Sequence, residues 1–276
     1  MTGHPVPAAL RGRWWLAVAV ATASVTTVAG AVARSMSPMA AVLWALVTLL
    51  PLGYTLWLLR RSLSLNRPPD SNGPAGAVPD GGTTVYPTLG LANGVTLGRG
   101  WLYAGVAGFL LVTPAADSVW RWLPALWYGG GVALDWIDGF VARRVSRRTL
   151  LGERLDLAFD TMGFLVAPLV AIAWGALPVW YLTVSAARYS YRFGCWLHER
   201  RGGVLGDLPE SRLRRPLAGL QMAVVALALL PVVPPRVAWP VATLAMLPSL
   251  AVFARDYLAV TGRLGVPNAQ DLTTPR

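Results

Sequence analysis

Two short stretches near the middle of the chain decide its fold. The first is DWIDGFVAR at residues 135–143, and the second, after eight intervening residues, is GERLDLAFD at residues 152–160. The two aspartates of the first stretch are three residues apart and those of the second are four apart, so each pair lies on one face of a helix. The stretches therefore predict two helices that each present a pair of carboxylates.

The arginine-rich segment between these helices predicts a turn that lets them run antiparallel with their aspartates facing each other. Facing carboxylates form a set of hard oxygen ligands that suits Mg²⁺, Mn²⁺ or Ca²⁺. The single cysteine excludes a cysteine-based metal site, and two histidines offer little for histidine chemistry. The alternative is a purely structural role, in which the aspartates form ion pairs with nearby arginines. Such pairing is common for one aspartate near a helix end, but it explains four aspartates on two facing helices less well. The candidate metal ligands are Asp135, Asp138, Asp156 and Asp160.

The composition of the chain places these helices in a membrane. Of its 276 residues, 55% are hydrophobic and 13% are charged, and the mean hydropathy is +0.50. A soluble domain carries about a quarter charged residues, so the composition argues against an ordinary soluble domain. The apolar excess also excludes disorder for most of the chain. We therefore predict an all-α integral membrane protein.

Eight segments are candidates for membrane-spanning helices, given that a bilayer core needs about 20 apolar residues per helix. The third is short, so its helix is expected to begin a few residues earlier. The first has features of a cleaved signal peptide, but its length favours a retained helix. The segments are Trp14–Ala33, Met39–Leu59, Gly100–Thr113, Val119–Gly139, Leu155–Trp174, Val179–Leu197, Pro216–Val233 and Ala238–Tyr257.

The distribution of charge indicates the orientation of these helices. All 24 basic residues are arginines, and the net charge is +11. Most of the arginines fall in segments that are cytoplasmic if the N-terminus is inside, which agrees with the positive-inside rule. This topology explains the basic charge without nucleic acid. It predicts a protein of the cell (inner) membrane with its aspartates facing the cytoplasm.

A stretch rich in proline and glycine divides the chain. Such a composition is typical of a flexible linker. We predict a pair of transmembrane helices at residues 1–61, a cytoplasmic linker at residues 62–87, a six-helix domain at residues 88–262 and a polar tail at residues 263–276.

The two stretches together resemble the signature of the CDP-alcohol phosphatidyltransferase family, D-x-x-D-G-x-x-A-R, eight residues, then G-x-x-x-D-x-x-x-D. All eight fixed positions and both spacings match. The resemblance implies a six-helix catalytic bundle, here preceded by two extra transmembrane helices, and a homodimer. Within the family, the chain is expected to be similar to the phosphatidylglycerophosphate and phosphatidylinositol-phosphate synthases.

The resemblance implies metal-dependent transfer of a phosphatidyl group from CDP-diacylglycerol, or a similar CDP-linked lipid, to an acceptor hydroxyl. CMP would be released, in a step of phospholipid biosynthesis. By position, the four aspartates would hold Mg²⁺ or Mn²⁺, and Asp160 would also act as the general base. The residues implied for the cytidine and phosphate pocket are Gly139, Ala142, Arg143 and Gly152, and a further match at residues 93–99 adds Asn93, Thr96 and Arg99.

Three arginines within predicted helices favour an anionic acceptor, such as glycerol 3-phosphate or an inositol phosphate. Arg188 and Arg192 share a face of the sixth segment, and Arg255 lies near the end of the eighth. Arginines inside membrane helices are costly and usually serve a polar site. The alternative is that their long side chains reach the cytoplasmic surface of the membrane.

Two other functions also use carboxylates within a membrane. An intramembrane prenyltransferase needs a second aspartate-rich cluster, and the acidic residues after Asp160 form none. A cation carrier would use the carboxylates as a transport site, but it leaves the glycine, alanine and arginine positions of the signature unexplained.

Overall fold

The computed structural model describes residues 6–68, 85–144, 149–206, 208 and 211–263, without the side chains of residues 138–144 and Arg188. This part of the chain contains eight α-helices and no strand. Each helix overlaps one of the eight predicted segments, so the all-α prediction is confirmed. The helices are α1 (Ala8–Ser35), α2 (Pro38–Ser62), α3 (Gly90–Ala107), α4 (Leu123–Arg144), α5 (Leu150–Ala173), α6 (Leu182–Arg200), α7 (Arg214–Ala228) and α8 (Pro235–Val260).

Local sequence explains where several helices begin. The hydroxyl of Ser37 accepts a hydrogen bond from the backbone N–H of Ala40 at 3.1 Å, with Pro38 in the first helical position of α2. The hydroxyl of Thr149 accepts one from Gly152 N–H at 3.0 Å and so caps α5. These caps satisfy backbone donors that have no partner within the helix.

Helix α3 begins ten residues before the predicted segment Gly100–Thr113, at Gly90. Gly90 has a φ of 77°, which a glycine adopts without strain, and the chain enters the helix there. The helix then continues through Asn93, Thr96 and Arg99, which are all buried. Their spacing of three residues puts them on one side of α3, inside the protein.

Among the described residues, four helices are long and apolar enough to cross a membrane. Many large apolar side chains on their surfaces are exposed, such as Leu50 at 74% and Leu244 at 67%, as is expected for helices that face lipid. The other four helices are shorter or more polar, and their crossing of the membrane stays a prediction. The four spans are Ala8–Ser35, Pro38–Leu65, Leu150–Ala173 and Pro235–Val260.

The chain divides into two compact units, Met1–Trp174 and Gly175–Arg276. In the first unit, α3 is the central helix and packs against α2, α4 and α5, while α1 packs against α2. The ring of Tyr103 fits between Gly131 of α4 and Gly163 of α5, where a Cβ at Gly163 would lie 2.8 Å from the ring. The absence of side chains at these two glycines therefore lets three helices approach closely.

The N-terminal helix pair is part of this first unit. Trp44 of α2 is 2% exposed and lies against Gly108, just after α3, where a Cβ would come within 2.5 Å of the indole ring. Phe109 packs near the same indole, with 6.3 Å between ring centroids. The extra helices thus share a core with the helices that carry the aspartates.

The ends of the predicted linker meet beside α3, although residues 69–84 lie outside the described residues. The Asn66 side chain amide donates hydrogen bonds to the carbonyl oxygens of Tyr86 at 3.0 Å and Thr88 at 2.8 Å. The backbone N–H of Tyr86 donates to Asn66 O at 2.8 Å, and that of Leu150 donates to Arg67 O at 3.1 Å. These hydrogen bonds therefore connect the residues that follow α2 to the beginnings of α3 and α5.

The second unit consists of α6, α7 and α8, with contacts from α8 to both of the others. Its centre is polar, since Gln221 is 2% exposed. The Gln221 Oε1 accepts a hydrogen bond from the Tyr181 hydroxyl at 2.6 Å. Its Nε2 donates to Ala245 O at 2.8 Å and to Ser249 Oγ at 2.9 Å, so every polar atom of the Gln221 side chain is used.

Candidate functional site

Three of the four predicted carboxylates converge within the first unit. Asp135 lies on α4, and Asp156 and Asp160 lie one turn apart on α5. One oxygen of each carboxylate lies within 4.8 Å of the others, and the side chains are between 32% and 46% exposed. Asp138 follows one turn after Asp135 on α4, and its side chain lies outside the described residues.

A buried arginine lies at the centre of these carboxylates. The Arg99 side chain is 0% exposed, and its Nη1 lies 2.7 Å from Asp135 Oδ1 and 2.5 Å from Asp156 Oδ1. Its Nη2 lies 2.5 Å from Asp160 Oδ1. One guanidinium cannot neutralise three carboxylates, so the cluster keeps a net negative charge.

The position of Arg99 follows from the packing of α3. Arg99 directly precedes Gly100 on α3, and a Cβ at Gly100 would lie 2.9 Å from the Phe159 ring of α5. The small residue brings the backbone of α3 close to α5. The guanidinium can therefore reach both aspartates of α5 while remaining out of contact with solvent.

The donor set of this cluster fits a hard divalent cation. Carboxylate oxygens are the ligands that Mg²⁺ and Mn²⁺ prefer. Three of them come within 4.8 Å of one another, and their partial exposure leaves a route for an ion to enter. The residues that could hold a metal among those described are Asp135, Asp156 and Asp160.

A second polar group lies where α3 and α5 begin. The Asn93 Nδ2 donates hydrogen bonds to Leu89 O at 2.7 Å, Asn66 Oδ1 at 3.2 Å and Thr149 Oγ1 at 3.2 Å. Gly152 lies directly against Asn93. Two residues implied for nucleotide binding, Asn93 and Gly152, are therefore neighbours.

The structure distributes the other predicted nucleotide residues differently. The hydroxyl of Thr96 is buried and donates to Ala92 O on its own helix at 3.1 Å. Arg99 contacts the three aspartates Asp135, Asp156 and Asp160. Gly139, Ala142 and Arg143 belong to the last turns of α4, and their side chains lie outside the described residues.

The predicted acceptor arginines belong to the second unit. Arg188 and Arg192 lie on α6. Arg192 is exposed, and the side chain of Arg188 lies outside the described part of the structure. Arg255 lies near the end of α8, and its Nη2 is 2.7 Å from Asp256 Oδ1. The sequence-based prediction missed the partner in this cluster, Arg214, whose Nε is 2.8 Å from Asp256 Oδ2. An aspartate in the apolar helix α8 was the available signal.

The comparisons with known proteins agree with this geometry. A family model described as CDP-alcohol phosphatidyltransferase matches residues 89–254, which is more than half of the chain. The match includes all three described aspartates as well as Asn93 and Arg99, and it begins at the start of α3. Neither a curated protein nor a solved structure matches the chain.

Proposed function

The chain belongs to the CDP-alcohol phosphatidyltransferase family, and we propose that it moves a phosphatidyl group from CDP-diacylglycerol, or a similar CDP-linked lipid, to an anionic acceptor alcohol. The family transfers substituted phosphate groups from CDP-alcohols in phospholipid biosynthesis, so the protein is a transferase of this class. Its apolar helices make it an integral membrane protein.

The observation that carries this proposal is the convergence of Asp135, Asp156 and Asp160 within 4.8 Å. Asp138 is proposed as a further ligand because it follows Asp135 by one helical turn. We propose that these aspartates hold Mg²⁺ or Mn²⁺, which when bound would neutralise negative charge on the donor phosphates.

Asp160 is proposed as the general base. Its carboxylate would take the proton from the acceptor hydroxyl as the hydroxyl oxygen forms a bond to the lipid-side phosphorus. The bond from that phosphorus to the oxygen of CMP breaks, and CMP leaves with the electron pair. Phosphoryl transfer depends mainly on positioning and charge neutralisation, and a carboxylate that orients the nucleophile completes such a site.

The nucleotide is proposed to bind beside the aspartates, near the start of α5. The pairing of Asn93 with Gly152, together with the signature residues of α4, supports this position. The absence of a side chain at position 152 lets Asn93 of α3 lie directly against the start of α5. The proposed nucleotide residues are Asn93, Thr96, Arg99, Gly139, Ala142, Arg143 and Gly152.

The acceptor is proposed to be anionic, such as glycerol 3-phosphate or an inositol phosphate, as in phosphatidylglycerophosphate and phosphatidylinositol-phosphate synthases. Arg188, Arg192 and Arg255 would recognise its phosphate, because a guanidinium forms paired hydrogen bonds with phosphate oxygens. Replacement of Arg192 or Arg255 by Gln is expected to raise KM for a phosphorylated acceptor. The Arg236→Gln variant, at the other end of α8, serves as the matched control.

The cytoplasmic orientation and the homodimer are also proposals. The arginine distribution supports a site that faces the cytoplasm of the cell (inner) membrane, and the resemblance to the family supports a dimer. Labelling from each side of the membrane tests the orientation, with one cysteine introduced at residue 117 or 202 of a variant in which Cys195 is replaced by Ser. Light scattering of the purified protein measures the oligomeric state.

Release of CMP by the purified full chain tests the proposed function. The assay contains CDP-diacylglycerol, Mn²⁺ or Mg²⁺, and one of glycerol 3-phosphate, inositol 1-phosphate, inositol or serine. We expect CMP release that requires one phosphorylated acceptor and stops when EDTA is added. Release with an uncharged acceptor alone would contradict the anionic acceptor, and release unaffected by EDTA would contradict the metal.

A further inference from the structure

We propose that Arg99 is an exchangeable counter-cation of the carboxylate cluster. Its guanidinium holds the metal-free aspartates together and leaves its position between Asp135 and Asp156 when a divalent cation binds. This inference rests on the proposed metal site, and it adds a role for a residue that the family signature stretches do not contain.

The contacts of Nη1 show why the two cations exclude each other. This single nitrogen lies 2.7 Å from Asp135 Oδ1 and 2.5 Å from Asp156 Oδ1, so it bridges the carboxylates of α4 and α5. A divalent cation binds carboxylate oxygens at about 2.0–2.6 Å. A cation shared by the same two oxygens needs the space that Nη1 fills.

The burial of Arg99 shows that this contact matters for the metal-free protein. The side chain is 0% exposed, and among the described residues its Nε has no hydrogen-bond partner. The carboxylates are therefore the charged partners, among the described residues, that compensate the desolvated guanidinium. A buried charge that loses its partner is strongly unfavourable.

The two sides of this exchange have opposite effects. Without metal, Arg99 reduces the repulsion between three carboxylates and so stabilises the packing of α3 against α4 and α5. With metal, the guanidinium competes for the oxygens and remains a nearby like charge, which weakens binding of the cation. The metal affinity of the wild-type protein is therefore lower than the carboxylates alone would provide.

Titration of the metal-free protein with Mn²⁺, followed by electron paramagnetic resonance of the free ion, tests this exchange without any measurement of turnover. The full chain is used in detergent, in the absence of nucleotide. We expect the Arg99→Gln variant to bind Mn²⁺ with a Kd at least about tenfold lower than that of the wild type. Its unfolding temperature without metal should be lower, and the increase caused by Mn²⁺ should be larger.

Two matched variants separate direct exchange from other effects. Arg154→Gln removes the same charge from an exposed position on α5, and its Kd should stay within about twofold of the wild-type value. Arg99→Lys keeps the charge, but one ammonium cannot reproduce contacts from two Nη atoms to three carboxylates. The Kd of Arg99→Lys for Mn²⁺ should fall below the wild-type value. If Arg99→Gln does not fold, Arg99→Lys replaces it in the titration.

The outcomes distinguish this inference from the proposed function. If Asp156→Asn abolishes Mn²⁺ binding while Arg99→Gln binds no tighter than the wild type, the metal site stands and the exchange is overturned. Wild-type affinity in Arg99→Lys also overturns it, because the effect of Arg99 would then be one of charge alone. Failure of the wild type and all variants to bind Mn²⁺ contradicts the proposed metal site, and the exchange with it.

Discussion

Asn93 of α3 lies so close to α5 that a Cβ atom at Gly152 would be 2.6 Å from Asn93 Oδ1. The same Cβ would lie 3.3 Å from Thr149 Oγ1. Neither side chain can move away freely, because Asn93 donates to Asn66, Leu89 and Thr149 and the Thr149 hydroxyl caps α5. The absence of a side chain at residue 152 is therefore a condition for this helix contact.

The Gly152→Ala substitution is expected to disrupt both packing and nucleotide binding. Overpacking of a tight contact costs about 1–3 kcal/mol, so the unfolding temperature should fall. KM for the CDP-linked lipid should rise, because the proposed pocket lies at this contact. Gly129→Ala on α4 is the matched control, since a Cβ there meets nothing within 4 Å. Equal KM values for Gly152→Ala and the wild type would argue against a nucleotide pocket at this position.

The Asp160→Asn substitution is expected to lower kcat by about 10²–10⁴-fold, because an amide cannot accept the proton of the acceptor hydroxyl. Binding of CDP, measured by calorimetry, should be largely retained. Thr161→Ala is the control, since the exposed hydroxyl of this neighbour donates to Leu157 O on its own helix. Turnover by Asp160→Asn at the wild-type rate would exclude Asp160 as the base.

Removal of the metal is expected to abolish turnover, and added Mn²⁺ should restore it. The Asp135→Asn variant should need a higher Mn²⁺ concentration for half-maximal activity, because it lacks one of the three clustered carboxylates. The dependence of CMP release on Mn²⁺ concentration provides the measurement. Asp117→Asn, an exposed loop variant, should behave as the wild type does. An unchanged metal requirement in Asp135→Asn would remove Asp135 from the ligand set.

Trp44 and Gly108 provide a test of whether the N-terminal helices support the helices of the site. Gly108→Ala should lower the unfolding temperature, since its new methyl group would clash with both the Thr48 hydroxyl and the Trp44 ring of α2. Trp44→Leu creates space, so the double variant should lose less stability than the two single effects combined. Additive effects in thermal unfolding would show that this contact does not couple the two segments.

Gln221 provides a test of the second unit. Gln221→Leu leaves the Tyr181 hydroxyl, Ala245 O and Ser249 Oγ without this partner in a buried position. A buried polar group without a partner costs about 1–3 kcal/mol, so the unfolding temperature should fall clearly. Ser249→Ala removes one of these hydrogen bonds and should have a smaller effect. If the two variants unfold at the same temperature, Gln221 is not the centre of this network.

The sequence alone was sufficient to predict the helices and the family. A helix repeats every 3.6 residues, so the spacing of the aspartates already placed each pair on one face, and the length of the apolar segments located eight helices. The start of α3 was harder to locate, because polar residues at 93–99 interrupt the apolar pattern. Those residues are buried against protein, and only the packing of α3 against α5 shows this.

The partners of Arg99 and Asn66 were decided by the tertiary structure. Arg99 was predicted to lie near the nucleotide, and its contacts with Asp156 and Asp160 join residues that are 57 and 61 positions apart. Asn66, in the predicted linker, bonds to Asn93 across 27 positions. The local sequence determines which side chains share a helix face, because that depends on backbone geometry. Which faces meet depends on the close packing of small residues against large ones, such as Gly131 and Gly163 around Tyr103, and this becomes definite only when the helices are assembled.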